Sequence, residues 1–238
     1  MSTAPPANAA QDTPVRAPDT RVSVLIADDE ELTRTGLRVL LASKPDLDVI
    51  GEATDGAEVL PLAVRLRPDV VLMDVRMPRL DGIEATRRLR SELADPPKIV
   101  VITTFENDEY VYDALQAGAS GFVLKRAPSQ QIAQAIRLVA TSDSVLFPEA
   151  VRRLASGRPV RRDAARKLAA LTQRETHVLR WMAKGLTNQE ISVELTVSLE
   201  TVKTHVGNVL AKLGAQNRTQ AVILAYETGL VGTGATGL

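Results

Sequence analysis

Three carboxylates, a hydroxyl and an ammonium stand at the ends of four apolar runs. Val22 to Ala27 is followed at once by Asp28 and Asp29. Asp69-Val70-Val71-Leu72-Met73 ends on Asp74, Ile99 to Ile102 ends on Thr103, and Gly121 to Leu124 ends on Lys125. If these runs are parallel strands, their C-terminal ends converge on one sheet edge, where α/β proteins bind ligands. Crowded acids repel one another unless a hard cation neutralises them, and Mg²⁺ joins carboxylates to phosphate oxygens. The set suits phosphoryl transfer onto a carboxylate. Asp74, on the central run, is the expected nucleophile, because a carboxylate can form an acyl phosphate. Lys125 and the metal would offset charge on the phosphoryl oxygens, and Thr103 would donate a hydrogen bond to one of them. Taken singly, each residue has a plainer reading: Asp28 or Asp29 as a helix N-cap, Thr103 as strand filler, Lys125 as a solvated charge. Their joint placement at strand ends favours function.

The elements that must hold these groups are legible along the chain. Short Val/Ile/Leu-rich strands are expected at 22–27, 48–53, 69–73, 98–103 and 121–124, with apolar residues on consecutive positions, as when both faces are covered. Helical spacing is expected at 30–42, 56–66, 82–92, 107–117 and 129–141, with turn signals such as Asp55-Gly56, Asp81-Gly82 and Ala117-Gly118 between. Five βα units over 21–142 predict a doubly wound, five-stranded parallel α/β domain. Residues 143–168 are basic, contain Gly157 and Pro159, and read as a linker, helical in part. Residues 169–231 read as all-α. Thr172 with Glu175 and Thr187 with Glu190 are capping boxes, and Leu195-Thr196-Val197-Ser198 is the turn of a helix-turn-helix. Residues 1–20, rich in Ala, Pro, Thr and Asp, read as a disordered tail. Residues 232–238 read as a flexible tail, and their Gly-x-Gly-x-x-Gly matches a dinucleotide fingerprint only by letters, with no room for a following helix.

Composition excludes some chemistries. The chain has no cysteine, so disulfides, thiolate metal sites and thiol catalysis are ruled out. No apolar run approaches ~20 residues, so no membrane span is expected. The net charge of zero conceals a pattern: residues 21–150 carry 15 bases and 21 acids, whereas residues 151–170 carry seven bases and one acid. Such a split suggests that only the back half meets a polyanion.

The third helix of the back half carries Lys203, Thr204, Gly207, Asn208 and Ala211 opposite Val202, Val206 and Leu213. A recognition helix needs one side glued to its scaffold and a polar side free for the major groove. The plainer reading is a helical bundle with a solvated face, on which Lys212 and Arg218 are surface charge.

Two resemblances sharpen these readings. Ala27-Asp28-Asp29-Glu30, the run Leu72 to Gly82, Val101 to Thr104 and Gly118 to Lys125 make residues 21–142 resemble a response-regulator receiver domain. This implies that Asp74 accepts phosphate from a sensor histidine kinase and that Asp28, Asp29 and Asp74 serve Mg²⁺. It also implies that Thr103 and Phe122 form the switch reporting phosphorylation to the face made by the fourth helix, fifth strand and fifth helix. Leu171 to Glu175, Gly185 to Ile191, Thr201 to Val206, Lys212-Leu213-Gly214 and Arg218 to Val222 make residues 171–231 similar to the LuxR-type (NarL/FixJ) DNA-binding domain. This implies a recognition helix from Thr201 to Lys212, with DNA-binding residues Thr201, Lys203, Thr204, Gly207, Asn208, Lys212 and Arg218. It further implies a last helix, near 218–228, that pairs with its mate in a dimer. Gly207 stands where some relatives carry a basic residue.

The expected protein is therefore not an enzyme. It is a cytoplasmic, phosphorylation-dependent, DNA-binding transcriptional regulator of a two-component system, a homodimer when phosphorylated, with double-stranded DNA and a histidine kinase as partners. The alternatives are an aspartyl-phosphate phosphatase and an interaction module that does not read DNA.

Overall fold

The computed structural model describes residues 21–104, 108–141, 148–155 and 162–231. The tails expected at 1–20 and 232–238, and Gly157 and Pro159 of the expected linker, lie outside the described residues.

Five strands, β1 (Val22–Ala27), β2 (Leu47–Ala53), β3 (Val70–Asp74), β4 (Lys98–Thr103) and β5 (Gly121–Leu124), form one sheet in the order β2-β1-β3-β4-β5. Every neighbouring pair is parallel. Five helices connect or follow them: α1 (Glu31–Ala42), α2 (Gly56–Leu66), α3 (Gly82–Glu92), α4 (Asp108–Gln116) and α5 (Ser129–Thr141). The pleat divides each apolar run between two cores. Val24, Ile26, Val70, Leu72, Val100 and Ile102 face Leu37 and Leu41 of α1 and Ile132 and Ile136 of α5. Leu25, Val71, Met73, Ile99 and Val101 face Val59 of α2, Leu89 of α3 and Leu115 of α4. Burial on both faces is why these strands read as unbroken apolar runs.

Gly82 shows how closely α3 approaches the site. A Cβ there would lie 1.9 Å from the backbone oxygen of Asp74. The Gly82 amide donates to the Val75 carbonyl at 2.9 Å, while the Asp81 side chain caps the helix by accepting from the Glu84 amide at 2.7 Å. Only glycine admits this approach, so the Asp81-Gly82 turn locks the backbone that carries Asp74.

Beyond the sheet lie six more helices among the described residues: α6 (Pro148–Ala155), α7 (Arg162–Ala169), α8 (Gln173–Ala183), α9 (Asn188–Leu195), α10 (Leu199–Leu213) and α11 (Arg218–Glu227). Both capping boxes form, at Thr172/Glu175 and at Thr187/Glu190. Thr196 in the left-handed region ends α9 and starts the turn into α10; Gly214, also left-handed, ends α10. Val202, Val209 and Leu213 of α10 and Val178, Leu179 and Met182 of α8 are all buried, and these faces pack together.

The expected linker is more ordered than its composition suggests. Val151, Leu154 and Ala155 of α6 recur at helical spacing and are buried, as is Ala164 of α7. α6 packs on α11 and on α4, so it wedges the two halves together rather than merely spanning them. One apolar core runs from α2, α3 and α4 through α6 into the helix-turn-helix unit.

Candidate functional site

The three acids meet as the strand ends require. One oxygen from each of Asp28, Asp29 and Asp74 lies within 4.8 Å of the others. Asp28 is fully buried, Asp74 is 5% exposed and Asp29 is open to solvent. Neither Asp28 nor Asp29 caps α1: the N-cap position is Glu30, which makes no side-chain capping bond. Asp28 Oδ1 instead accepts from the Glu30 amide at 3.0 Å, which leaves the Asp29 carboxylate at the open side.

Lys125 joins the acids. Its Nζ lies 2.7 Å from Asp28 Oδ2 and 3.2 Å from Asp74 Oδ2. The Lys125 amide donates to the Thr103 carbonyl at 2.8 Å, so β4 positions the ammonium. Burial alone would lower the lysine's pKa; the hydrogen bond to Asp28 and the charges of Asp74 and Asp28 outweigh it and hold it above its ordinary value. Burial also pushes the Asp74 carboxyl up to about 6, with Lys125 opposing the rise and Asp28 adding to it. An acid displaced this far by its surroundings marks a place where added positive charge would be most strongly bound. The donor set, all oxygen, at one sheet edge and partly open, fits Mg²⁺.

Thr103 is the last residue of β4 and is buried; it lies one position past Ile102, the neighbour of Asp74 in the sheet register. Phe122 on β5 is half-buried and packs against the core shared with α4.

Two residues of this site escaped the sequence reading. Glu30 Oε2 lies 3.7 Å from Lys125 Nζ. Arg34 donates from Nη1 to the carbonyls of Asp28 and Asp29, at 2.8 and 3.1 Å, and so fixes the loop that carries both acids. The signal for Glu30 is its adjacency to the acid pair. Arg34 carries none beyond sitting one helical turn into α1.

In the helical unit, Thr201, Lys203, Thr204, Gly207, Asn208 and Lys212 are all exposed. A side chain at Gly207 would meet open space. Lys203 pairs with Glu200 at 2.9 Å, an exposed contact of the kind that yields readily to a phosphate. Lys212 is held more firmly: its Nζ donates at 2.7 Å to Glu175 Oε2, the carboxylate of the first capping box, and keeps that acid below its ordinary pKa.

Arg218 does not lie on this face, contrary to the expectation for it. It is only 9% exposed, and its guanidinium donates to Asn188 Oδ1 at 2.9 Å and to the Leu186 carbonyl. A planar fork that satisfies two acceptors inside the unit serves as a brace between α9 and α11. Nor is α11 free to meet a second copy in this arrangement, because its residues are mostly buried against α4, α6 and α8.

The two halves are clasped by polar contacts. Asn217 Nδ2 donates to the Gly118 and Ala119 carbonyls at 2.7 and 3.2 Å. Thr219 Oγ1 donates to the Ser120 carbonyl at 2.8 Å, and Gln220 Nε2 to the Gln116 carbonyl at 2.6 Å. The Tyr112 hydroxyl donates to the buried Glu227 carboxylate. Arg90 from α3 donates to Gly118 as well, at 3.0 Å from Nη2. The clasp thus grips α4 and the α4–β5 loop, the end of the sheet opposite the acids.

Among the described residues, no helix is long and apolar enough to cross a membrane.

Comparison with known proteins gives two family matches. Residues 24–137 match the response regulator receiver domain, and residues 169–225 match the bacterial regulatory proteins of the luxR family. The chain is 43% identical to the transcriptional regulatory protein LiaR of Bacillus subtilis over 210 residues, covering 88% of this chain and 99% of LiaR. It is 39% identical to the response regulator protein VraR of Staphylococcus aureus, covering 88% of this chain and 99% of VraR. Among solved structures, the RcsB response regulator of Salmonella typhimurium is similar at 25% identity and a TM-score of 0.50, over 85% of this chain and 97% of RcsB.

Proposed function

The chain belongs to the response regulators that join a receiver domain to a LuxR-type DNA-binding domain, and on that footing we propose that Asp74 is the phosphoacceptor through which a histidine kinase controls its binding to DNA. It is a transcriptional regulator of a two-component system; its relatives in that class are DNA-binding regulators rather than classical enzymes.

The observation that carries the assignment of Asp74 is the geometry of the acids: three carboxylate oxygens within 4.8 Å, with the Lys125 ammonium touching two of the three residues. An oxygen of Asp74 attacks the phosphorus of a phosphohistidine; the P–O bond forms as the P–N bond breaks, and imidazole departs. Asp28, Asp29 and Asp74 would hold Mg²⁺, which when bound would supply positive charge against the phosphoryl oxygens. Lys125, already oriented by Asp28, takes up the charge of the transferred group, and Thr103 donates to one of its oxygens. Arg34 keeps the Asp28–Asp29 loop in place throughout.

The output follows from the clasp. Phosphoryl contacts at Thr103 and Lys125 pull on the ends of β4 and β5, and Phe122 on β5 carries the change toward α4. Release of Tyr112 and Gln116 from α11 shifts the population from the closed arrangement to one that binds DNA. The released form works as a dimer on half-sites about one helical turn, roughly 34 Å, apart. Thr201, Lys203, Thr204, Gly207, Asn208 and Lys212 form the DNA-facing side of α10. A cytoplasmic location goes with a histidine-kinase donor and a DNA target.

Incubation with acetyl phosphate and Mg²⁺ followed by intact-mass measurement tests the assignment. One phosphoryl group is expected on the parent chain and none on Asp74→Ala. Retention of the adduct in the variant overturns it. Footprinting with and without the phosphodonor tests the output: protection of DNA should strengthen on phosphorylation.

A further inference from the structure

The outer face of α8 is unused by both the acid site and the clasp. His177, Arg180, Trp181 and Lys184 recur at the i, i+3, i+4, i+7 spacing of one helical face. With Leu230 and Val231 from the segment after α11 they line a groove of about 390 Å³. Trp181 is half-buried and forms part of its floor with the two aliphatic residues, while His177, Arg180 and Lys184 are exposed at its rim. The Lys184 ammonium sits 4.2 Å from the centre of the Trp181 ring. No carboxylate lines the groove, and among the described residues neither Arg180 nor Lys184 forms an ion pair with one. An apolar floor under a rim of uncompensated positive charge matches a ligand of opposite charge that also carries an apolar side chain.

Its location separates this face from the DNA side. α8 packs on α10 through Val178, Leu179 and Met182 against Val202, Val209 and Leu213. The exposed side of α10 and the exposed side of α8 therefore point away from each other. A duplex seated on Lys203 and Asn208 leaves the α8 groove open. An indole floor beside aliphatic side chains accepts a leucine-like side chain, which nucleic acid lacks.

We propose that this face is a docking surface for an acidic peptide segment bearing an apolar anchor residue, on a partner protein that engages the regulator while it is on DNA. The apolar anchor packs against Leu230, Val231 and the part of Trp181 that Lys184 does not cover, and Asp or Glu residues flanking it pair with Arg180 and Lys184. Binding itself does not depend on the phosphoryl switch; only its coexistence with DNA rests on the proposed role of α10.

Trp181 is the chain's single tryptophan, so its emission reports the groove directly. The full-length chain is titrated with a short synthetic peptide alternating Leu with Glu and Asp, with a Leu/Lys peptide as comparator, and separately with duplex DNA. A saturable change in emission with the acidic peptide is expected, weakened by added salt. It should be weakened at least roughly tenfold in Arg180→Glu/Lys184→Glu, and should persist with DNA already bound. DNA affinity of that variant should match the parent's, and the neutralised pair Arg180→Gln/Lys184→Gln repeats the test if charge reversal disturbs folding. Absence of a saturable change with the acidic peptide overturns the proposal, as does equal binding of the Leu/Lys peptide. An emission change on adding duplex DNA that the double variant abolishes also overturns it and makes the face a nucleic-acid contact. Loss of peptide binding when DNA is present overturns engagement on DNA, and with it the opposite-side placement of α10.

Discussion

Asn217 donates its side-chain amide to the carbonyl of Gly118 at 2.7 Å, although the two residues belong to different structural units. The same Asn217 caps α11 by accepting from the Gln220 amide at 2.9 Å. The start of the last helix is therefore fastened to the receiver through the residue that defines where the helix begins. Arg90 donates to the same carbonyl from α3, so one acceptor ties α3 and the start of α11 to the α4–β5 loop.

The clasp should be separable from the fold by removing a contact that caps nothing. Thr219→Val keeps the side-chain shape and deletes the hydrogen bond to the Ser120 carbonyl. Such a bond contributes about 1 kcal/mol net, which corresponds to roughly a fivefold change in an equilibrium. If the closed arrangement competes with DNA, unphosphorylated Thr219→Val should bind DNA about fivefold more tightly than the parent. Fluorescence anisotropy on a labelled duplex measures this. Unchanged affinity, with the variant's melting temperature lowered, would mean that the clasp stabilises the chain without restraining α10.

The acid site makes stability depend on pH in a definite direction. The Asp74 carboxyl is raised from 3.8 to about 6 in the folded chain, mainly by burial. Between those values the folded state holds more protons than the unfolded state, so stability falls as pH rises through that window. The loss amounts to roughly 2–3 kcal/mol and is complete above the folded-state value. In metal-free buffer Asp74→Asn should therefore be more stable than the parent at neutral pH by about 2 kcal/mol, with the difference vanishing near pH 4. Urea titrations across pH read this directly. Mg²⁺ added at neutral pH should raise the parent's midpoint more than the variant's, because it binds the folded acids.

The acid site could be read from the chain because its chemistry sits on single residues at strand ends, and strand ends are visible as the close of apolar runs. The sheet was legible for the same reason: burial on both faces leaves no polar interruption in Val70 to Met73 or Ile99 to Ile102. The clasp was not legible. Tyr112, Gln116 and Glu227 are polar residues on helices already accounted for by their own apolar faces, and their mutual contact depends on how two units dock. α6 was half hidden, because Val151, Leu154 and Ala155 supply only one buried stripe inside an Arg-rich stretch. Arg218 misled for a related reason: a basic residue at the start of a helix in a DNA-binding unit looks like a phosphate contact until its acceptors, Asn188 and Leu186, are seen beside it.

On α10, Lys203 is the position where charge should matter to DNA and not to folding. Its side chain is exposed, and its ammonium pairs with Glu200 at 2.9 Å in a contact open to solvent. Lys203→Ala should leave the melting temperature within about a degree, since exposed pairs contribute less than about 1 kcal/mol. DNA affinity should fall, and the slope of log affinity against log salt should drop by about one, as for one lost phosphate contact. A large loss restricted to one operator sequence would instead make Lys203 a base reader.

Arg218 predicts the reverse pattern. Replacing it with Ala removes a buried guanidinium and leaves Asn188 Oδ1 and the Leu186 carbonyl without that donor. Losing two charge-assisted hydrogen bonds at a largely buried guanidinium costs on the order of 2–4 kcal/mol, so Arg218→Ala should lower the unfolding midpoint strongly. Arg218→Lys should recover little, because a single ammonium cannot span both acceptors as a planar fork does. The decisive comparison is the salt slope of DNA binding, measured below the variant's melting point. A brace between α9 and α11 leaves the slope unchanged even where affinity falls. A drop of about one, as in Lys203→Ala, would show that Arg218 leaves its buried partners to neutralise a phosphate when α10 enters the groove.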